Sequence, residues 1–315
     1  MRSPWISGVR SVAIDVPDLE RARAFYTEVW QLQLAADAAG VLYLRGSGTD
    51  HHLLALHQAS GAAQIRQITL RARSSRALSQ IVEAAVSAGG SLESASPGLV
   101  ELRTARTTIA EATPDPAGGL RVVLRDPDGR RYEVVHGDEQ RAVDQPPPSD
   151  IPLRIAHAVL NSHNVASAQM FLERAFGFVL ADRTRIMAFM NCDRDHHSLA
   201  LADADNNALN HIAFVMPSID SVMRGGGRLR DAGHAIEWGP GRHGPGNNVF
   251  NYFIDPFGIV IEYTAEVSQI DDSYQPGSPA NWGWPAGRSD QWGICPAPSA
   301  HLKAAQREIL FARNL

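Results

Sequence analysis

Three residues in the second half of this chain, His157, His211 and Glu262, carry side chains that bind divalent metal ions. Two neutral imidazoles and one carboxylate form a three-point donor set that leaves the opposite side of a metal open to further ligands. Glu262 poses the sharper question. It stands in IVIEY (259–263), an apolar run of the kind that forms a buried strand. A buried carboxylate without a partner is costly. Either its side chain reaches solvent at a strand end, or a positive charge waits for it.

The rest of the chain bears on that choice because it repeats itself. SVAIDVPDLERARAFYTEVW (11–30) matches HAVLNSHNVASAQMFLERAF (157–176), and DHHLLAL (50–56) matches DHHSLAL (195–201). QITLRARSSRAL (67–78) matches HIAFVMPSIDSV (211–222), and RDPDGRRYEVV (125–135) matches IDPFGIVIEYT (254–264). Four matches in the same order indicate an internal duplication. The seam is DEQRAVDQPPPSD (138–150), whose prolines read as a stiff linker. Each half subdivides again into strand, helix and short apolar runs, which predicts four βαβββ modules, two per domain, in an α+β fold with mixed sheets. Helices are predicted near 18–31, 74–88, 164–176 and 218–233. GGGR at 225–228 falls in or beside the last and lacks the context of a phosphate loop. The expected organisation is an N-terminal domain 1–140, a linker 141–152, a C-terminal domain 153–267 and a tail 268–315.

The two copies differ where the donors lie. His157 answers to Ser11, His211 to Gln67 and Glu262 to Glu133. Two strand positions are therefore histidine in one copy and non-ligating in the other, so the fold does not need the imidazoles. Paired with a strand carboxylate, they form the facial triad of non-heme Fe(II) oxygenases. Glu262 is then compensated by a metal cation. Glu133 is expected to face solvent or pair with an arginine.

The chain has 315 residues, 44% hydrophobic and 20% charged, with a net charge of −5. This is a globular composition with no basic, aromatic-interleaved patch, so no nucleic-acid partner is expected. Two distant cysteines, Cys192 and Cys295, exclude a disulfide framework and a cysteine zinc site. No signal-peptide core and no run of about 18 apolar residues stands out, which predicts a cytoplasmic protein without a membrane partner.

The modules, the triad and GRHGPGNNVFNYFIDPFGIVIEY (241–263) resemble the vicinal oxygen chelate superfamily, and within it the two-domain extradiol ring-cleaving dioxygenases. The resemblance runs over nearly the whole chain and departs at Asn251, where an apolar residue is usual. It implies glyoxalase-like domains, a metal site in the C-terminal copy only, Fe(II) with Mn(II) as the alternative, and a homo-oligomer acting on a small aromatic diol and O₂. It implies that His157, His211 and Glu262 hold the metal and that His197 moves protons. His243 and Tyr252 would sit beside the diol oxygens. His196 reads as exposed or structural. Asn247, Asp255 and Arg288 are expected near the substrate. In homoprotocatechuate-type relatives an arginine five residues before the loop histidine meets a substrate carboxylate. Here that position is Trp238, which favours an uncharged substituted catechol. The tail NWGWPAGRSDQWGICPAPS (281–299) is either a lid carried by Trp282, Trp284, Arg288 and Trp292 or a segment stapled to the surface by its tryptophans. Other superfamily chemistry, isomerase or plain binding, stands as the alternative.

Overall fold

The computed structural model describes residues 2–93, 99–102, 108–143, 148 and 150–313. Most of the proline run at the seam lies outside the described residues.

The first half begins with β1 (Ile6–Val16), α1 (Leu19–Ala24), β2 (Gln33–Ala38), β3 (Val41–Arg45) and β4 (Leu54–Gln58). It continues through β5 (Gln64–Ala72), α2 (Ser75–Ser87), β6 (Ser91–Leu92), β7 (Leu99–Leu102), β8 (Thr108–Ala112), β9 (Leu120–Arg125) and β10 (Arg131–His136). The second half begins with β11 (Arg154–Ser162), α3 (Val165–Phe176), β12 (Val179–Arg183), β13 (Met187–Asn191) and β14 (Leu199–Asp203). Its second module is β15 (Leu209–Val215), α4 (Ile219–Asp231), β16 (Trp238–Arg242), β17 (Val249–Ile254) and β18 (Val260–Ala265), and α5 (Ala300–Ala305) lies in the tail. Among the described residues no helix is long and apolar enough to cross a membrane.

Each half forms one mixed sheet. The second runs β12-β13-β14-β11-β15-β18-β17-β16. Within each module the first strand pairs in parallel with the last, β11 with β14 and β15 with β18, and the two modules join where β11 runs antiparallel to β15. The first sheet repeats this through β1, β4, β5 and β10, with β8 beside β9 as β16 is beside β17, and adds β7 at its edge and β6 on β9. These two strands lie between the third and fourth matched segments and make the first copy longer there than the second.

Side chains cap the helices where the sequence predicts their starts. Ser74, Asn164 and Ser218 accept from Ala77, Ser167 and Ser221 backbone N–H groups. The helix predicted over 18–31 is α-helical only to Ala24. A wider turn follows, in which Trp30 N–H reaches the Phe25 carbonyl at 2.9 Å. Trp30 is thereby fully buried and stacks on Tyr263 of β18, with ring centroids 3.7 Å apart. The halves are therefore joined by packing as well as by the linker. Tyr26 OH donates to Asp255 at 2.9 Å, and Arg130 donates to the Asn161 carbonyl at 3.0 Å.

The GGGR stretch lies inside α4 and serves packing. A Cβ at Gly225 would stand 2.6 Å from the Tyr263 ring, whereas one at Gly227 would meet nothing within 4 Å. Gly225→Ala is expected to cost about 1–3 kcal/mol, because Tyr263 is held by Trp30 and cannot retreat. Gly227→Ala is expected to stabilise the helix by about 0.5–1 kcal/mol. Denaturant unfolding of the two variants checks the pair of signs.

Candidate metal centre and active site

Strand register brings the donors together. His157 on β11 pairs with Ala213 on β15, and Ala213 pairs with Glu262 on β18. Glu262 pairs with Tyr252 on β17, which pairs with Trp238 on β16. Paired residues share a face of a sheet, so this row places all of these side chains on one side. His211 joins them two residues from Ala213 on the same strand. The small side chain of Ala213 leaves the centre of the row open.

Three atoms converge there. His157 Nε2 and His211 Nε2 each lie 3.3 Å from Glu262 Oε2, and 3.4 Å from each other. All three residues are buried, Glu262 completely. Glu262 Oε2 receives no hydrogen bond. Burial alone raises the Glu262 carboxyl, but contacts with His157, His211 and His243 outweigh it and hold the group well below the usual carboxylate range. Burial drives the His211 imidazole down to about 4, despite Glu262 beside it. At neutral pH the cluster therefore offers an ionised oxygen and a neutral imidazole, with bare donor atoms facing one point. This donor set fits a divalent transition metal. His157, His211 and Glu262 also form a cluster of metal-binding geometry among the described residues, with donor atoms all within 4.8 Å.

The remaining groups surround a cavity of about 760 Å³ that opens from this point. The His197 ring centre lies 4.3 Å from that of His157. Burial, then His157 and His196, hold His197 well below the usual histidine range, so it is neutral at pH 7. Tyr252 OH lies 3.1 Å from His243 Nε2 and 3.4 Å from His211 Nε2. Burial and then the Glu262 charge push the Tyr252 hydroxyl well above its usual range. His243 sits on the loop after β16, stacked on Phe250 at 4.0 Å. Trp238, Phe189, Trp282 and Trp284 add aromatic walls.

Three of the predicted substrate contacts lie elsewhere. Asp255 is buried at the β17–β18 turn, where it accepts from Phe257 N–H, Ile259 N–H and Tyr26 OH. Asp126 accepts from the Asp128 and Arg130 N–H groups at the matching turn. The Asp-Pro-x-Gly segment is thus a turn in both copies, and Asp255 does not contact the cavity. Asn247 is exposed, with φ of 52°, and its side chain accepts from Gln291. Arg288 is exposed and folds back on Gly293 within the tail. Trp292 lies outside too, beneath Arg242. Asn251 faces α4 at Gly226, on the side of β17 away from the cavity, which makes its role one of packing.

Other residues enter the site unannounced by sequence. Asn248, neighbour of Asn247, is fully buried and donates to Thr264 at 2.7 Å, with Glu262 Oε1 at 3.4 Å. The two asparagines stand side by side in the loop before β17, where the left-handed turn at Asn247 sends one side chain outward and the next inward. His196 is buried, 2.8 Å from Asp182 Oδ2, and its Nδ1 lies 3.1 Å from Nδ1 of His197. The DHH repeat carried that signal.

The first copy closes its matching row with its own donors. Glu133 accepts from Gln67 at 2.6 Å, Thr69 at 3.0 Å and Arg121 at 3.0 Å. Gln67 stands where the second copy has His211, and Thr69 where it has Ala213. Of the two expectations for Glu133, pairing with an arginine is the one observed.

Fold and donor set together define a duplicated scaffold with a candidate metal centre in its second copy. Residues 8–134 and 154–263 match the Glyoxalase/Bleomycin resistance protein/Dioxygenase superfamily, and the chain belongs to it. It is 34% identical over 164 residues to Metapyrocatechase 2 of Cupriavidus necator, a stretch covering 51% of this chain and 46% of that protein. The match thus spans about half the length of that relative. Among solved structures, the Mn(II)-bound glyoxalase from Novosphingobium aromaticivorans is similar with a TM-score of 0.83 and 30% identity, over 95% of this chain and 94% of that one. Homoprotocatechuate 2,3-dioxygenase from Arthrobacter globiformis shares the fold at a TM-score of 0.81 and 21% identity, over 99% and 95% of the two chains.

The two glutamates should respond differently to neutralisation. Glu133→Gln removes a buried charge on which Gln67, Thr69 and Arg121 converge, leaving Arg121 only Glu111, and is expected to cost about 1–3 kcal/mol. Glu262→Gln is expected to abolish metal binding, which Glu133→Gln leaves untouched, and also to destabilise the metal-free protein, because the fold holds this carboxyl well below its usual range. Unfolding curves and metal titration read both. In metal-free protein, His211 is harder to protonate folded than unfolded. Stability is therefore expected to fall as pH drops from about 6.5 towards 4, by up to about 1.4 kcal/mol per pH unit. Denaturant midpoints measured across that range check the slope.

Proposed function

We propose that this protein is an extradiol ring-cleaving dioxygenase that acts on an uncharged catechol bearing an apolar ring substituent. The observation that carries this reading is the convergence of His157, His211 and Glu262 at the floor of a cavity that also presents His197, His243 and Tyr252. His157, His211 and Glu262 hold Fe(II) or Mn(II). When bound, the metal gathers diol and O₂ and lets electron density pass from ring to oxygen. The protein does the rest by position. Tyr252, steadied by His243, donates to a diol oxygen. His197, neutral because it is buried, takes a proton from the diol and returns it later in the turnover. Both oxygen atoms enter the product as the ring opens beside the diol, giving a semialdehyde acid. Trp282 and Trp284 of the tail line the cavity and exclude water, which supports the tail as a lid.

The substrate class follows from the walls. Trp238 stacks towards Phe250 and Tyr252 and offers no charge to a carboxylate. With Phe189, Met187 and Val159 it bounds the apolar part of a cavity much larger than one ring requires, whose charged lining residues, Arg185, Asp203, Lys303 and Arg307, are all exposed. The dioxygenases among the relatives support the reaction type. The expectation of a cytoplasmic homo-oligomer accompanies the reading. The glyoxalase from Novosphingobium aromaticivorans makes isomerisation the reading to exclude.

Anaerobic loading with Fe(II) or Mn(II), followed by O₂ uptake with neutral and carboxylated catechols, tests the proposal. Stoichiometric uptake with a yellow ring-opened product is expected, fastest with aryl or alkyl catechols and absent in His211→Ala. His197→Phe is expected to keep the metal and lose about 10²–10⁴-fold in turnover. Bound metal without uptake on any catechol, together with isomerase activity, would replace this reading by the other.

A further inference from the structure

We infer that the C-terminal tail sets the tautomer of the metal ligand His211 through a one-way relay of side-chain amides, Asn161 and Asn210. The inference rests on the metal-centre reading of His211. The relay starts at a backbone carbonyl, which can only accept. Asn161 Nδ2 lies 2.9 Å from the Gln306 carbonyl, just beyond α5, so its nitrogen must face that way. The same nitrogen donates to Asn206 Oδ1 at 3.0 Å, and Asn206 Nδ2 donates to the Arg307 carbonyl at 2.9 Å. Two tail carbonyls thus fix the orientation of these amides independently of how they are drawn.

The rest follows step by step. Asn161 Oδ1 is left facing Asn210, whose Nδ2 donates to it at 2.8 Å. Asn210 Oδ1 is then left facing His211 Nδ1, 2.8 Å away. An amide oxygen is an acceptor, so Nδ1 carries the proton and the lone pair is on Nε2. Nε2 is the atom 3.3 Å from Glu262 Oε2. Polarity passes from the tail to the metal point without a titratable group on the way.

The duplication supplies the control. The positions of Asn161 and Asn210 correspond to Asp15 and Arg66 in the first copy, which form an ion pair at 2.6 Å. Joining these two strands sideways is therefore served by opposite charges where no metal ligand follows. A neutral amide pair stands where one does. Arginine at that position has no acceptor to offer an imidazole N–H. Asn161 and Asn210 are positioning residues: Asn210 touches the ligand, and Asn161 acts through it.

The test imports the first copy's pair. In full-length Asn161→Asp/Asn210→Arg protein the lateral bond is kept and the acceptor at His211 is lost. Nitrogen-15 NMR of metal-free protein reports the His211 tautomer, and Mn(II) titration reports affinity. Wild type is expected to show Nδ1–H. The double variant is expected to show Nε2–H or a mixture, and Mn(II) binding weakened roughly 10–100-fold, the usual cost of losing an outer-shell partner. Asn210→Asp, which keeps an acceptor at Nδ1, is expected to retain both. If the double variant does not fold, Asn210→Leu takes its place. An unchanged tautomer with unchanged affinity would overturn the relay. Absence of Mn(II) binding in wild type would instead overturn the metal reading, and the tautomer measurement would still decide the relay.

Discussion

A carboxylate with no solvent exposure, in the middle of an apolar strand, is the constraint around which the second half of this molecule is organised. Glu262 cannot be left alone at that depth. It is met from two sides by imidazole nitrogens and at its other oxygen by Asn248, while one oxygen receives no hydrogen bond at all. The strand row that carries it also carries Tyr252 and Trp238, so one register decides metal point, hydroxyl and aromatic wall together. A slip of one residue in β18 would turn Glu262 towards the helices and Tyr263 into the cavity.

The first half shows the same problem solved by hydrogen-bond donors of its own. Glu133 occupies the equivalent buried place, and Gln67, Thr69 and Arg121 saturate it. The two solutions differ in four exchanges around that carboxylate: Gln for His, Thr for Ala, Ser for His and, on the neighbouring strand, Arg121 for Phe250. Each adds a donor or removes a ligand. The scaffold tolerates both because the row faces the inside of the curved sheet, while the opposite face packs on helices at matching places in each copy. The Asp15–Arg66 and Asn161–Asn210 pairs extend that contrast one step outward from the donors.

The halves are not independent supports. Trp30 and Tyr26 from the first half pack on Tyr263 and Asp255 from the second, on the side of the sheet away from the cavity. The tail closes the other side, with Leu302 and Ala305 packed against Phe250 and Tyr252. The metal row is thus clamped between an interdomain contact behind it and the tail in front. This explains why a site built from three strands draws on residues from nearly the full length of the chain.

The sequence by itself determined the modules, the duplication and the helix starts, and it named the three side chains, His157, His211 and Glu262, that the fold brings together. Each is written in local pattern: strand alternation, capping residues, and histidines present in one copy and missing from the other. It did not separate Asn247 from Asn248, because neighbours in a loop are told apart only by the backbone angles they take, and the left-handed turn at Asn247 puts one outside and the other inside. It made Asp255 a substrate contact because the Asp-Pro-x-Gly signature travels with the site. Only the folded chain shows that its oxygens are already used by two backbone N–H groups and a tyrosine from the other half. It left the tail undecided between lid and staple, since tryptophans in a loop serve either. Which of them turn inward, Trp282 and Trp284 but not Trp292, depends on contacts with Gly244 and Arg242 that lie far away in sequence. Local chemistry is legible along the chain. The partners that satisfy a buried polar group come from distant segments, and only the tertiary structure names them.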